Sequence, residues 1–170
     1  MDRELLLLGL LRQQEMHGYQ LYEFIDRDLA TCTDLKKPTA YYLLNKMAED
    51  GWIHEEQVRD GNRPTRRVYH LTPQGETAYQ RLLRENLVSF TPTIFPGDAG
   101  LAFVDSLDPK EAASLLEKRR SALAAALLEV REAPEHIGSK QFVIDHQVRH
   151  LRAELDWLDE VIARLEDKVG

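Results

Sequence analysis

The sequence holds a single cysteine, Cys32, in 170 residues, and no apolar run long enough to cross a bilayer. A lone cysteine excludes an intrachain disulfide and fits a reducing compartment. The apolar stretch Leu5–Leu11 is far shorter than the ~20 residues that a spanning helix needs. It also lacks a basic leader and a small-residue cleavage site, which makes it a poor secretion signal. A cytoplasmic protein without membrane contact is the expectation. Glycines number 9 and prolines 7, and no low-complexity tract interrupts the chain. Catalytic signatures are missing too: there is no phosphate-cradling glycine loop, no Gly-x-Ser-x-Gly, no His-Glu-x-x-His and no carboxylate pair standing out from surface charge. The expectation is a protein that is not an enzyme and uses no cofactor.

What is present is a charged, soluble composition, 43% hydrophobic and 30% charged, suited to one or two globular domains. The net charge of −7 argues against a general nucleic-acid coat. Its distribution is uneven. Residues 1–86 hold 12 Lys+Arg against 14 Asp+Glu, net −2, and residues 87–170 hold 10 against 15, net −5. Positive clusters lie in the first half, and a DNA duplex responds to the local patch rather than to the total.

Those clusters fall within Leu35–Leu71. Pro38 suits the start of a helix, where its missing N–H has no partner to lose, and Gly51 suits its end. At about 100° per residue, Ala40, Leu43, Leu44, Met47, Ala48 and the ring of Tyr41 share one side. Thr39, Tyr42, Asn45, Lys46 and Glu49 share the other, with Lys36 and Lys37 at its N-terminal end. A β-hairpin follows: Trp52, Ile53 and Val58, then turn residues from Arg59 to Pro64, then a return strand Thr65–Leu71. Arg59, Arg63, Arg66 and Arg67 against Asp60 give the hairpin tip a charge of +3. A helix able to enter a major groove beside a cationic hairpin is a DNA-docking arrangement.

Upstream, Glu4–Gln14 reads as a helix whose many leucines suggest burial on more than one side, including a subunit contact. His17–Ile25 reads as a second short helix with Leu21, Phe24 and Ile25 inward, and Asp26–Lys37 as a polar connection. The order helix, helix, turn, helix, hairpin is a winged helix-turn-helix. Thr72-Pro73 then starts a helix to Asn86, with Gly75 where a capping box would have Glu. Pro92, Pro96, Gly97 and Gly100 mark a boundary, giving a winged-helix domain 1–86 and a helical domain 87–170.

In the second domain, Leu101–Leu107 reads as a short apolar helix, and Asp108-Pro109-Lys110-Glu111 launches a long one to about Ala133. The final helix, about Ser139–Lys168, has Ile144, Val148, Leu151, Leu155, Leu158, Ile162, Leu165 and Val169 at alternating spacings of 4 and 3. Such a heptad seam needs a partner helix, which the preceding helix, a second subunit or both can supply. The fold class is therefore mainly α with a small β-hairpin wing, an N-terminal winged helix-turn-helix and a C-terminal coiled-coil-like dimerisation domain. Other constellations carry less. His146 and His150 lie one turn apart with Glu154 beyond, but on a solvated flank without a clear third ligand. Cys32 has no resolving partner, and Phe142 and Trp157 read as core or interface.

HGYQLYEFI, PTAYYLLNKMAEDGWI and GNRPTRRVYHLTPQGE together resemble the PadR family of bacterial transcriptional regulators, continuously over about residues 4–80. The family's third helix reads Tyr-x-x-Leu-x-x-Leu-x-x-x-Gly, and here the positions are Tyr41, Leu44, Met47 and Gly51. The resemblance implies a homodimeric repressor on a pseudo-palindromic operator in double-stranded DNA, released in some members by a small aromatic effector. It implies a groove-facing set of Lys36, Lys37, Thr39, Tyr42, Asn45 and Lys46 and a basic wing of Arg63, Arg66 and Arg67. Tyr19 matches a position that either touches the phosphate backbone or packs between helices. Lysines and arginines would supply phosphate affinity, while Tyr42, Thr39 and Asn45 would read bases. The competing class is a winged helix that has lost DNA binding and works through protein contacts. Overall acidity favours it and the wing arginines oppose it.

Overall fold

A computed structural model describes residues 2–14, 16–17, 20–21, 23–24, 35–58, 66–132 and 138–168. The chain forms two compact units that divide between Pro92 and Thr93, inside the Pro/Gly stretch and a few residues beyond 86/87. The first unit contains α1 (Asp2–Gln13), β1 (Met16–His17), α2 (Lys37–Glu49), β2 (Ile53–Val58), β3 (Arg66–Leu71) and α3 (Pro73–Val88). Gln20, Leu21, Glu23 and Phe24 are helical between β1 and α2. Tyr19, Cys32 and Arg63 lie outside the described residues, and Arg66 is described by its backbone alone.

The hairpin is part of a three-stranded antiparallel sheet in the order β1-β3-β2. His17 thus belongs to a strand and does not open the second helix. A two-residue strand has no internal periodicity to read, and its partners, Tyr69 opposite Met16 and Val68 opposite His17, lie some fifty residues away in sequence. The heavy leucine content of α1 also has an explanation within the unit. Leu7, Leu8, Leu10 and Leu11 are all buried, in one core with Leu21, Leu35, four residues of α2, Ile53, Tyr69, Ala78 and Leu82. No subunit contact is needed to cover them.

The junction between α2, the wing and α3 is tightly built. Gly51, at φ +72°, ends α2 in a Schellman motif: the Trp52 N–H donates to the Met47 carbonyl at 2.8 Å and the Gly51 N–H to Ala48 at 3.1 Å. The helix itself begins at Lys37, one residue before Pro38. At the far end of β3, Thr72 caps α3 by accepting the Gly75 N–H at 3.0 Å, and its hydroxyl faces the Gly51 carbonyl at 2.7 Å. The Thr72 N–H donates to the Trp52 carbonyl at 3.0 Å, and Gln74 Nε2 reaches the Asp50 carbonyl at 3.0 Å. The end of α2 is therefore tied to the start of α3, and the wing leaves and returns through this knot.

In the second unit, the expected helix Leu101–Leu107 is instead α4 (Asp98–Leu101) followed by a 3-10 turn at Val104–Ser106. The segment is too short to propagate, and Pro109 disfavours helical backbone at Asp108. α5 (Pro109–Glu132) starts with the Asp108 carboxylate accepting the Lys110 N–H at 2.9 Å. α6 (Ser139–Asp167) runs antiparallel to it. Ala112 and Ala113 let the helices approach, and Ile162 and Leu165 fill the contact with Leu116, Val161 and Val104 around it. Arg119–Glu154 and Arg120–Asp159 ion pairs bridge the two helices. The hydrogen bond from Arg120 holds the Asp159 carboxyl below its ordinary range, so this pair contributes at neutral pH and is lost as acid protonates Asp159.

The heptad seam divides in two. Leu158, Ile162 and Leu165 are buried within the single chain, so they are not surface for a subunit contact. Ile144, Val148, Leu151 and Leu155 are only half-buried. Of the partners that the repeat leaves open, α5 covers the C-terminal half, so Leu158, Ile162 and Leu165 drop out of the dimerisation set.

Candidate nucleic-acid interface

α2 presents two distinct faces because its apolar residues repeat at helical spacing. Ala40, Leu43, Leu44 and Met47 are buried and Tyr41 packs against the same core. Tyr42, Asn45, Lys46 and Glu49 are exposed, Thr39 is half-buried, and Tyr42 keeps 66% of its surface. Lys36 and Lys37 are exposed at the N-terminal end, where the first turn carries no acidic residue. Unsatisfied N–H groups and the helix dipole make that end favourable for a phosphate. Lys46 lies close enough to Glu4 of α1 for their charges to interact.

The wing is less basic than its arginines suggest. Residues 53–71 contain four arginines and three carboxylates, Glu55, Glu56 and Asp60, for a net +1. β2 and β3 pair with Glu55 opposite Tyr69, Glu56 opposite Val68 and Gln57 opposite Arg67. Arg67 Nη1 donates to Glu55 Oε2 at 3.3 Å, and His70 Nε2 lies 3.2 Å from Glu56 Oε2 on the other side of the sheet. The Tyr69 phenol beneath is pushed up from its ordinary pKa by burial first and by the Glu55 charge second, with the Arg67 charge opposing. The +3 of the turn residues leaves these carboxylates of β2 out. The period-2 alternation of Ile53-His54-Glu55-Glu56 against Arg66-Arg67 was the available signal.

The arrangement places an exposed polar helix face and an arginine-bearing hairpin on one winged-helix core. The sequence profile of the transcriptional regulator PadR-like family matches residues 7–81 of it. Over this N-terminal stretch the chain is PadR-like. A second profile, virulence activator alpha C-term, matches residues 101–166, so both parts of this PadR-like chain have known counterparts. The negative transcriptional regulator PadR of Bacillus subtilis is 23% identical, over 94% of this chain and 95% of its own length. A probable transcriptional regulator of Mycobacterium tuberculosis is 27% identical, over 95% and 96%. The crystal structure of Bacillus subtilis PadR in complex with operator DNA matches with a TM-score of 0.82 at 20% identity, covering 95% of this chain and 98% of that one. The same protein in complex with p-coumaric acid gives 0.77 at 22% identity, covering 98% and 99%. At these identities the structures establish the fold. Among the described residues, no helix is long and apolar enough to cross a membrane.

His146 and His150 are exposed on α6, and Glu154, the third residue of that constellation, is engaged by Arg119. Arg119 also sits over the Trp157 ring at 5.9 Å, so this tryptophan has a packing role within its own unit.

Proposed function

We propose that this PadR-like regulator is a homodimeric, sequence-specific DNA-binding repressor that acts in the cytoplasm, without enzymatic activity, and is released by a small aromatic effector. The observation that carries the reading is the solvent face of α2: polar along its length, led by Lys36 and Lys37, and held beside the wing by the Gly51–Gly75 junction. In this reading Lys36, Lys37, Lys46, Arg63, Arg66 and Arg67 contact phosphates, and Thr39, Tyr42 and Asn45 reach base edges. The operator-bound relative supports the DNA partner, and the p-coumaric acid complex supports the effector class. Dimerisation is supported by the half-buried Ile144, Val148, Leu151 and Leu155, and by exposed Phe142 and Val143 beside them. A dimer would set two α2 helices ~34–36 Å apart on a pseudo-palindrome.

The deciding experiment is binding to a labelled duplex from the chain's own upstream region across a salt series. Selective binding that weakens steeply with salt supports the repressor. Absence of any preferred site in a genome-wide pull-down would favour a protein-interaction module instead. Within that assay, Tyr42→Ala is expected to leave the melting temperature nearly unchanged, because the ring is exposed. Discrimination between operator and unrelated DNA should fall by about 1–3 kcal/mol. A large loss of thermal stability would place the ring in the core.

A further inference from the structure

The two strands of the wing carry opposite charge. β2 contributes Glu55 and Glu56, and β3 contributes Arg66 and Arg67. Alternation puts Glu55, Gln57, Tyr69 and Arg67 on the face that continues into the core through Ile53 and Leu71. Glu55 is the inner partner of the ion pair, its side chain 23% exposed, and Arg67 the outer one at 56%. The guanidinium therefore reaches back along the hairpin to the carboxylate, over the buried Tyr69. A phosphate arriving at Arg67 must either displace Glu55 or come to rest near a second anion.

We propose that Glu55 is an electrostatic brake on the wing: it holds Arg67 in a pair that DNA phosphate has to displace, and so limits affinity for every duplex. The proposal rests on the DNA-binding function proposed above. It makes Glu55 a positioning residue that acts through Arg67 without touching DNA itself. Phosphate binding is the part of DNA affinity that does not depend on sequence, so the brake acts on operator and unrelated DNA alike.

The test uses the full-length protein, an operator duplex and an unrelated duplex of equal length, each in a salt series. E55Q keeps the shape of the side chain and removes its charge. It is expected to bind both duplexes two- to fivefold more tightly at low salt, the range expected from releasing an exposed ion pair. The dependence on log salt should steepen, as Arg67 becomes free to pair with a phosphate. E56Q changes the net charge equally on the opposite face and should gain less than half as much. The double variant E55Q/R67A should bind like R67A. Glu55→Ala supplies a second route to the same release, and melting curves establish that each variant is folded. A gain in E55Q no larger than in E56Q, a gain that survives in the R67A background, or weaker binding in E55Q would each overturn the brake. If the parent protein bound neither duplex, the DNA-binding function itself would fail, a separate outcome visible before any variant is made.

Discussion

Alanine at Gly75 is expected to unfold the N-terminal unit at temperatures where the parent is intact. A Cβ at this position would lie 1.9 Å from the Trp52 carbonyl oxygen and 2.7 Å from Leu71 Cδ1. The first obstacle is backbone, fixed by its hydrogen bond from the Thr72 N–H, so it cannot swing aside as a side chain would. In an open helix the same change would add up to about 1 kcal/mol of helix propensity. Overpacking against backbone outweighs this, and a net loss of about 3 kcal/mol or more is expected. For a unit of this size that is a fall of roughly 15 °C in melting temperature. The two tryptophans make the measurement specific, since Trp52 lies in the first unit and Trp157 in the second. Trp52 fluorescence, followed in a Trp157→Phe background, should report the early transition. Gln74→Ala, on the exposed side of the same turn, should shift it by only a few degrees. If Gly75→Ala melted within about 2 °C of the parent, well inside the expected shift, the approach of α3 to Trp52 would not be a fixed feature of the fold.

Gly75 also illustrates what the sequence could and could not convey. Local signals were readable wherever a cause lay within a few residues. Thr72-Pro73 marked the start of α3, Gly51 the end of α2, and the apolar spacing of Ala40–Met47 its buried face. Read locally, Gly75 was only a position where a capping box lacked its Glu. Its reason for being glycine is a backbone from the other side of the wing, and nothing in its neighbours in sequence announces that approach. The same holds for β1, whose strand character comes entirely from pairing with β3. The resemblance of the whole stretch to PadR regulators brought in the fold that local patterns only outlined, and it named the groove face and the wing. It did not carry the pairing of Arg67 with Glu55, which depends on hairpin register in this chain.

The seam of α6 gives the sharpest contrast, because a heptad repeat specifies that a partner exists without saying which one. Two substitutions on this one stripe are expected to fail in different ways. Leu158 has none of its surface exposed in the single chain, so Leu158→Glu would bury a carboxylate where an apolar side chain packs. A loss beyond about 4 kcal/mol is expected, enough to melt the second unit and bring down helicity, with Trp157 reporting the change. Leu151, two turns earlier, is only half-buried, and a carboxylate there can turn to solvent while the chain is alone. Leu151→Glu should therefore keep its helicity and melting transition yet elute and scatter light as a single chain. A single chain can engage only one half-site at a time, so operator affinity should fall by at least about tenfold, while each wing and α2 remain folded. Small hydrophobic surface at Phe142 and Val143 would then be left uncovered, and a dye sensitive to apolar surface should bind the variant more strongly. A Leu151→Glu protein that stayed dimeric would move the subunit interface off this half of α6. A Leu158→Glu protein that stayed folded and merely became monomeric would mean that α5 does not claim the C-terminal half of the seam.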